Sequence, residues 1–337
     1  MKPVSGSFRP GSPAIWAVSL CVLLISSGNA FPQGGNSALS EGSFELPLGS
    51  EKIEFFYQIS PVEGKAPLVI SLHRNESTAF PLLRTILHDY PGRFVGIKTP
   101  GSRRLSLKGG GSKAFTIDPN RIFTEAGIER DLKQFSFYSP EMAREIKTFS
   151  AAYLEKLKLA RGATVIAVHN NTDGGYSIES YHKGGSEGEA GAEISMDSNW
   201  DPDDFILVTH PDHFRVLKEQ QFNVVLQDNS RAPDDGSLSV YCGREGIDYF
   251  NVEAEFGHSG EQDRMLRAVF NLATGIKRDL PATNKPGAAV PVARPVKSNA
   301  VKLDNPPQAP PATSGKPEED KPKPKTGLRL LKPKSDP

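Results

Sequence analysis

Two short apolar runs that each stop at a histidine constrain the fold more than any other feature of this chain. Residues 68–72, Leu-Val-Ile-Ser-Leu, lead into His73, and residues 163–168, Ala-Thr-Val-Ile-Ala-Val, lead into His169. A short apolar run bounded by turn residues is typical of a strand that is buried on both faces. The sequence therefore predicts a sheet that is covered on both sides, with a histidine at the end of each of these strands.

The segments around these strands are predicted to alternate between helix and strand. The predicted helices lie at residues 77–87, 140–159 and 261–276, and the further predicted strands lie at residues 205–209, 224–227 and 249–256. This alternation favours an α/β fold whose central sheet is mostly parallel or mixed and has helices on both faces. Ligands of such folds bind beyond the carboxyl ends of the strands, where both histidines are expected.

The first 30 residues carry the features of an export signal. Arg9 precedes an apolar run at residues 14–25, and small residues follow at 26–30, where a signal peptidase would cut. The apolar run is short for a bilayer span. We therefore expect residues 1–30 to be removed, which leaves a secreted or periplasmic protein without a stable membrane span. An uncleaved membrane anchor is the alternative.

The end of the chain differs in composition from its middle. Residues 281–337 are rich in Pro and Lys and contain no Phe, Trp or Tyr, so they lack the apolar surface that offsets the entropy cost of ordering. We expect a disordered basic tail there. Such a tail could touch an anionic wall polymer, a membrane surface or nucleic acid, but a solubilising tether is the simpler interpretation, and no nucleic-acid partner is expected. The folded domain is assigned to residues 44–280, after a linker at residues 31–43.

Three side chains at the predicted strand ends are candidate metal ligands. His73 and Glu76 are three residues apart on a strand-to-helix turn, and such a pair also occurs by chance at exposed turns. His169, at the end of the second strand, adds a third donor. Two imidazoles and one carboxylate, with a fourth position left for water, form a known pattern of catalytic zinc sites. Once the signal is removed Cys242 is the one remaining cysteine, so no thiolate cluster is expected, and Cys242 is interpreted as a small buried hydrophobe in a strand-like stretch.

Three short motifs resemble, in order, the zinc signatures of one enzyme group. These motifs are His73-Arg74-Asn75-Glu76, Asp118-Pro119-Asn120-Arg121-Ile122-Phe123 and His169-Asn170-Asn171-Thr172. The group is the aspartoacylase and succinylglutamate desuccinylase group of the zinc carboxypeptidase A-like superfamily, and the resemblance covers about residues 50–275. It implies a zinc carboxypeptidase-like fold and a hydrolase that uses metal-activated water to cleave an amide or peptide bond near a free carboxylate. The implied substrate is a small acyl-amino acid or peptide, and export would make cell-wall fragments available.

The resemblance also implies roles for single residues. The implied zinc ligands are His73, Glu76 and His169. Asn120 and Arg121 would hold a carboxylate of the substrate, and a guanidinium offers the parallel donors that suit this task. A surface ion pair of Arg121 with Asp118 or Glu125 is the alternative.

The general base has two candidates, Glu253 and Glu255. They are two residues apart on a predicted strand, so both should face the same side. Glu255 fits the Glu-x-Gly spacing of the group and is narrowly preferred, with Glu253 as the alternate. Alternating charges on an edge strand would be the simpler explanation of the pair. His258 follows closely and either orients the cleft or is a solvated loop histidine.

One departure from the group concerns the stabilisation of the oxyanion. Lys113 stands where the group has the arginine that polarises the substrate carbonyl, and a lysine can act there only as a point charge. Arg103 and Arg104 are candidate substitutes. Lys113 also supports an alternative function, a non-catalytic zinc-binding or cell-wall-binding protein with the same fold. A third hypothesis, a deacylase of N-acyl amino acids, fits less well with an exported protein than a peptidase does.

Other segments lead to simpler interpretations. Residues 184–191 are glycine-rich and are interpreted as a flexible surface loop near His182, with a lid as the alternative. His210 and His213 are interpreted as loop residues without a third partner for a second metal. The chain has no Gly-x-Ser-x-Gly elbow of a serine hydrolase, and residues 109–111 lack the ending of a phosphate-binding loop.

Overall fold

The computed structural model describes residues 38–76, 78–98, 103–108 and 114–282. The predicted signal peptide, nearly all of the predicted tail and Lys113 lie outside the described residues. Among the residues that are described, no helix combines the length and the apolar character that a bilayer span requires.

The strands and helices alternate along much of the chain. The strands are β1 (Ser40–Leu48), β2 (Glu51–Ile59), β3 (Leu68–Ser71), β4 (Arg93–Ile97), β5 (Leu105–Lys108), β6 (Ala114–Ile117), β7 (Thr164–Asn171), β8 (Gly191–Ser195), β9 (Phe205–Val208), β10 (Val224–Gln227) and β11 (Asp248–Glu255). The helices are α1 (Ala79–Asp89), α2 (Glu125–Phe135), α3 (Pro140–Leu157), α4 (Pro211–Glu219), α5 (Leu238–Glu245) and α6 (Ser259–Thr274).

Nine of the described strands form one mixed sheet in the order β1-β2-β4-β3-β7-β11-β9-β10-β8, and β5 pairs with β6 beside it. The neighbours from β4 through β3 and β7 to β11 run parallel, as do β9 and β10, while the other neighbours in the sheet run antiparallel. The prediction of an α/β fold with a mostly parallel or mixed sheet is confirmed, and the sheet is mixed.

Both faces of the sheet are buried under helices. Side chains of α2, α3 and α5 pack with one face in a first apolar cluster, and those of α1, α4 and α6 pack with the other face in a second. In β7, Val165 and Ala167 belong to the first cluster and Ile166 and Val168 to the second, because side chains alternate along a strand. This double burial explains why the central strands read as continuous apolar runs.

The first strand corrects the predicted start of the domain. β1 begins at Ser40, inside the stretch of residues 31–43 that was predicted as a linker. Ser40, Glu41, Gly42 and Ser43 offer no apolar residue, and they are ordered by antiparallel pairing with β2, where Ser40 lies opposite Ile59. Strand pairing with a distant segment therefore overrides the local composition.

Two further local predictions were wrong. His210 and His213 are not in a loop: the Nδ1 atom of His210 accepts a hydrogen bond from the backbone N–H of Asp212 at 3.2 Å, which caps α4, and His213 lies in that helix. Cys242 lies in α5 and not in a strand-like stretch, since Ser237 caps the helix and Gly246 ends it in a left-handed conformation. The thiol is fully buried, as expected of a small hydrophobe.

Candidate active site

The two histidines come together because their strands are neighbours. β3 and β7 run parallel, with Ile70 opposite Ala167, so both chains leave the sheet at the same edge. His73 follows β3 after one intervening residue, and His169 lies near the end of β7. The turn after β3 returns the Glu76 side chain toward the same point. His73 and Glu76 are each 1% exposed and His169 is 3% exposed, so all three are shielded from bulk water.

These three residues form what we call the metal-ligand group. One potential ligand atom of each lies within 4.8 Å of the others. The Oε2 atom of Glu76 is 2.9 Å from His73 Nδ1 and 3.9 Å from His169 Nε2. Atoms bound tetrahedrally to one zinc ion at about 2.0–2.3 Å are about 3.3–3.8 Å apart, close to this spacing. His169 Nε2 is buried and has no hydrogen-bond partner among the described residues, so the group fits a zinc ion.

Each histidine also has a hydrogen-bond partner on one of its ring nitrogens. His73 Nε2 is 2.8 Å from Asp118 Oδ1, and His169 Nδ1 is 2.6 Å from Asn251 Oδ1. A partner on one ring nitrogen fixes the orientation of the imidazole and directs the other nitrogen toward a metal. Asp118 was predicted only as a surface partner of Arg121, and Asn251 was not predicted at all. The position of Asp118 within the second motif was the signal that could have identified it.

The charged groups around His73 form a buried ion cluster. Burial lowers the pKa of His73, but the carboxylates of Asp118 and Glu76 outweigh burial and raise it above its ordinary value. Burial raises the pKa of Asp118, yet His73 and Arg103 together hold it well below its ordinary range. The site therefore concentrates negative charge around the two imidazoles, as a cation requires.

The two candidate bases lie in different surroundings. Glu253 is paired in register with His169, and its Oε1 atom is 3.7 Å from His169 Nδ1 and accepts a hydrogen bond from Asn251 Nδ2 at 3.0 Å. Glu255 lies two residues further along β11 and is paired with Asn171. Its Oε2 atom is 3.3 Å from His258 Nε2. The geometry thus favours Glu253 over Glu255, against the narrow preference from the Glu-x-Gly spacing. Burial raises the pKa of Glu253 above its ordinary value, and the charge of Glu76 adds to the effect.

Glu255 belongs to a second set of carboxylates, which we call the acidic group: Asp173, Asp203 and Glu255. Their oxygens also come within 4.8 Å of one another, but Asp173 is exposed and Glu255 is half-buried. His258 lies beside this group, with its Nδ1 atom 2.8 Å from Asp204 Oδ2. His258 is therefore held by two carboxylates and is not a freely solvated loop histidine.

A polar cavity of 490 Å³ reaches the metal-ligand group at Glu76 and His169, while His73 is not among the described residues that line it. Glu76, His169 and Glu253 line one part of it, whereas Glu255 is not among the described residues that line it. Asn120 and Arg121 line another part. Its size is in the range of cavities that hold small molecules.

Asn120 and Arg121 each make contacts within the protein that use part of their hydrogen-bonding capacity. Asn120 Oδ1 accepts a hydrogen bond from the backbone N–H of Leu238 at 3.0 Å, so its amide N–H groups remain to face a ligand. Arg121 NH1 donates to the carbonyl oxygen of Asn120 at 2.9 Å and lies 3.4 Å from Asp235 Oδ2. The partner of Arg121 is thus Asp235, and neither Asp118 nor Glu125, the two partners predicted for a surface pair.

The two candidate substitutes for the carbonyl-polarising arginine differ in position. Arg103 lines the cavity, where its NH1 atom donates to Glu76 Oε1 at 2.7 Å and its Nε atom is 3.5 Å from Asp118 Oδ2. Arg104 instead lies over the ring of Phe135, 3.6 Å from its centroid. Arg103 is therefore the one that belongs to the cavity.

The segment that carries Asp235 is packed tightly against the Arg121 turn. Gly236 has a φ of +80°, and a Cβ atom added to it would lie 2.5 Å from both the carbonyl oxygen of Arg121 and the Cα atom of Gly127. The carbonyl oxygen of Gly236 also accepts a hydrogen bond from the backbone N–H of Phe123 at 3.1 Å. Only a glycine fits this contact, which fixes Asp235 relative to Arg121.

Fold and site together define an α/β protein with a candidate zinc centre in the wall of a polar cavity. Comparison with protein-family models finds no match, and comparison with curated proteins finds none.

Solved structures to which the chain is similar include three bacterial proteins. Murein-tripeptide amidase MpaA from Escherichia coli O157 is 15% identical over 74% of this chain and 96% of that chain, with a TM-score of 0.39. An aspartoacylase family protein from Mesorhizobium loti is 16% identical over 72% and 68%, with a TM-score of 0.36. Succinylglutamatedesuccinylase/aspartoacylase from Rhodobacter sphaeroides is 14% identical over 75% and 70%, with a TM-score of 0.38. Likenesses this distant leave the reaction to the chemistry of the site itself.

Proposed function

We propose that the protein is a zinc-dependent hydrolase that cleaves an amide or peptide bond near a free carboxylate. The observation that carries this proposal is the convergence of His73, Glu76 and His169 at the wall of a cavity that also contains a buried carboxylate. The unpartnered Nε2 atom of His169 is the sharpest part of that observation, because a buried imidazole nitrogen without a hydrogen bond is costly unless a ligand satisfies it.

A zinc ion held by His73, Glu76 and His169 would supply Lewis acidity, which lowers the pKa of a water molecule and polarises a carbonyl. Glu253 is the general base in this proposal. It accepts a proton from the attacking water and returns it to the leaving amine. Burial raises the pKa of Glu253, the direction that suits a group that must return a proton as well as accept one. Glu255, which is not among the described residues that line the cavity, is the weaker candidate.

Arg121 and Asn120 bind the free carboxylate of the substrate. The guanidinium offers donors to both oxygens, and the amide of Asn120 adds a further donor. Arg121 must release Asp235 to do so. Their ion pair at 3.4 Å is partly exposed, and pairs of that kind contribute at most about 1 kcal/mol.

Arg103 stabilises the negative charge that develops on the carbonyl oxygen. It lines the cavity next to Glu76, so its guanidinium is close to the proposed reacting centre. Lys113 remains a second candidate for this role. Export, proposed from residues 1–30, would direct the enzyme to peptides or cell-wall fragments outside the cytoplasm.

The test combines metal analysis with hydrolysis. We expect about one zinc per mature chain, with binding that weakens in acid as the imidazoles are protonated. N-acyl amino acids and short peptides should be cleaved in a chelator-sensitive manner that zinc restores. Arg121→Ala should slow substrates with a free carboxylate and spare those in which it is amidated. If zinc binds but the wild type cleaves none of these substrates, the non-catalytic zinc-binding or cell-wall-binding alternative replaces the hydrolase.

A further inference from the structure

A carboxylate that has no role in the proposed mechanism lines the same cavity. Glu187 is partly buried and lies in the glycine-rich segment after His182 that was predicted as a surface loop. Within the part of the chain that the structure describes, its side chain has neither a hydrogen bond nor a salt bridge. An unpaired carboxylate in a partly desolvated wall is unfavourable unless a ligand compensates it.

The backbone around Glu187 is held in place. Its N–H donates to the carbonyl oxygen of Ser180 at 2.9 Å, and its carbonyl oxygen accepts a hydrogen bond from Ala190 at 2.9 Å. A Cβ atom added to Gly185 would lie 2.3 Å from that same carbonyl of Ser180, so the segment follows a tight path that only glycine permits. Glu187 is therefore positioned by fixed backbone contacts, which a binding residue requires.

The charges at this part of the cavity do not balance. Glu187 and Asp235 contribute two carboxylates, and Arg121 contributes one guanidinium. Burial and then the charge of Asp235 raise the pKa of Glu187, while Arg121 lowers it, so the three groups sense one another. In the free protein, Arg121 NH1 lies 3.4 Å from Asp235 Oδ2. When Arg121 binds the substrate carboxylate instead, Asp235 is left without this positive partner. Two carboxylates then need a new positive charge.

We propose, on the basis of the hydrolase function above, that this cavity selects a leaving residue whose side chain ends in a cationic amine. The ammonium group lies between Glu187 and Asp235, and the carboxylate of the same residue binds Arg121. An acidic side chain in that place would face two carboxylates and be repelled. The site thus discriminates against leaving residues with an acidic side chain.

The experiment uses one acyl group joined to lysine, norleucine or glutamate, each with a free carboxylate. Norleucine matches the lysine chain without its charge. We expect kcat/KM for the lysine substrate to exceed that for norleucine by roughly 10- to 100-fold, the scale of one charge-assisted hydrogen bond. The glutamate substrate should be slowest. Comparable values for lysine and norleucine in the wild type overturn the proposal.

Two variants and a matched control locate the effect. Glu187→Gln should bring the lysine-to-norleucine ratio close to one, and Glu187→Lys should turn the preference toward glutamate. Glu189→Gln removes the same charge from an exposed position in the same segment and should keep the wild-type ratio. A ratio that neither Glu187 variant alters contradicts the proposal.

Failure of the hydrolase proposal would be seen separately. If the zinc-loaded wild type cleaves none of the three substrates, calorimetric binding of N-acetyl-lysine and N-acetyl-norleucine decides. If the protein binds the lysine compound selectively and Glu187→Gln removes this selectivity, the proposed binding site for a cationic side chain is supported even though the hydrolase function fails. Equal binding of the two compounds, or lysine selectivity that Glu187→Gln leaves unchanged, overturns the proposed binding site for a cationic side chain.

Discussion

The metal-ligand group has His169 on β7, and the acidic group has Glu255 on the neighbouring β11, yet the two groups differ in almost every respect that matters for metal binding. Both bring three potential ligand atoms within 4.8 Å of one another. The metal-ligand group is fully buried, has two imidazoles and holds each of them with an outer partner. In the acidic group, Asp173 is exposed, and Asp203 Oδ2 already accepts a hydrogen bond from the backbone N–H of Gly174 at 3.0 Å. Proximity of ligand atoms is therefore not sufficient; burial, donor type and orientation distinguish the two.

The same comparison separates the two glutamates. Glu253 lies opposite His169 and Glu255 lies opposite Asn171, so the pair differs by one repeat of the strand. Two residues of strand span about 6.6–6.8 Å. That step separates Glu253, which lines the cavity, from Glu255, which is not among the described residues that line it.

The largest expected effect is on zinc itself. His73→Ala or His169→Ala should weaken zinc binding by more than about 100-fold, since even the loss of an outer partner costs up to that amount. Metal content after dialysis against a weak chelator measures the change. Asp173→Ala, in the acidic group, is the control and should retain stoichiometric zinc. Retention of zinc by both histidine variants would show that the metal-ligand group was misassigned.

The next effect separates the two strand positions. Glu253→Gln should keep zinc and lower kcat by roughly 100-fold or more, the scale of a lost general base. Glu255→Gln should change kcat by much less. Steady-state kinetics on one substrate, with zinc content checked for each variant, provide the measurement. The opposite order of the two effects would assign the base to Glu255.

A smaller effect is expected from the support behind His73. Asp118→Asn keeps the shape of the side chain but removes the charge that orients the imidazole, so zinc affinity should fall by about 10- to 100-fold. Competition with a chromophoric chelator measures it. Asp203→Asn makes the same change in the acidic group and should leave zinc affinity unaltered. Equal losses in the two variants would remove the distinction between the groups.

The smallest effect concerns a carboxyl group one layer further out. Asp131 Oδ2 accepts a hydrogen bond from the backbone N–H of Asp118 at 2.9 Å, and burial raises the pKa of Asp131 from 3.8 to about 6. The folded state thus binds the proton more tightly than the unfolded state. The stability that Asp131 contributes is complete below pH 3.8 and is lost as pH rises through about 6.

Asp131→Asn keeps an acceptor for Asp118 but does not titrate. The variant should gain stability on the wild type by about 1 kcal/mol between pH 4 and pH 7, less than the full shift would imply. Urea unfolding at several pH values measures the gap. Glu129→Gln, at an exposed position of the same helix, should show no such trend. A gap that stays constant across this pH range would contradict the assignment.

The sequence predicted the parts of the fold that are locally encoded. The apolar runs before His73 and His169 are strands buried on both faces, as their continuous hydrophobicity and their short length predicted. Their common sheet edge follows from the parallel pairing of β3 and β7. β1 is different, because Ser40 to Ser43 become a strand only through pairing with β2. Its start could not be read from composition.

The residues of the candidate site also divide into those that the sequence identifies and those that only the tertiary structure identifies. Histidines at strand ends and a short motif could be found from the sequence, but the choice between Glu253 and Glu255 depends on the register of β11 against β7. Glu187, Asp235 and Asn251 enter the site from segments far apart in the chain. Nothing near Glu187 or Asp235 in the sequence resembles a motif, and the Glu-x-Gly stretch after Asn251 does not single out Asn251 itself, so only the tertiary arrangement shows that the three share a cavity.

The contact of Gly236 with Gly127 and the Arg121 turn has a practical consequence for protein engineering. Grafting a longer or differently shaped loop at this position would force the carboxylate and the guanidinium to move together, since the backbones touch at Gly236. Retargeting should therefore proceed by exchanging side chains at positions 187 and 235 on an unchanged main chain. A library that varies those two positions while Gly127 and Gly236 are kept would explore new leaving groups on the main chain that positions Asn120 and Arg121.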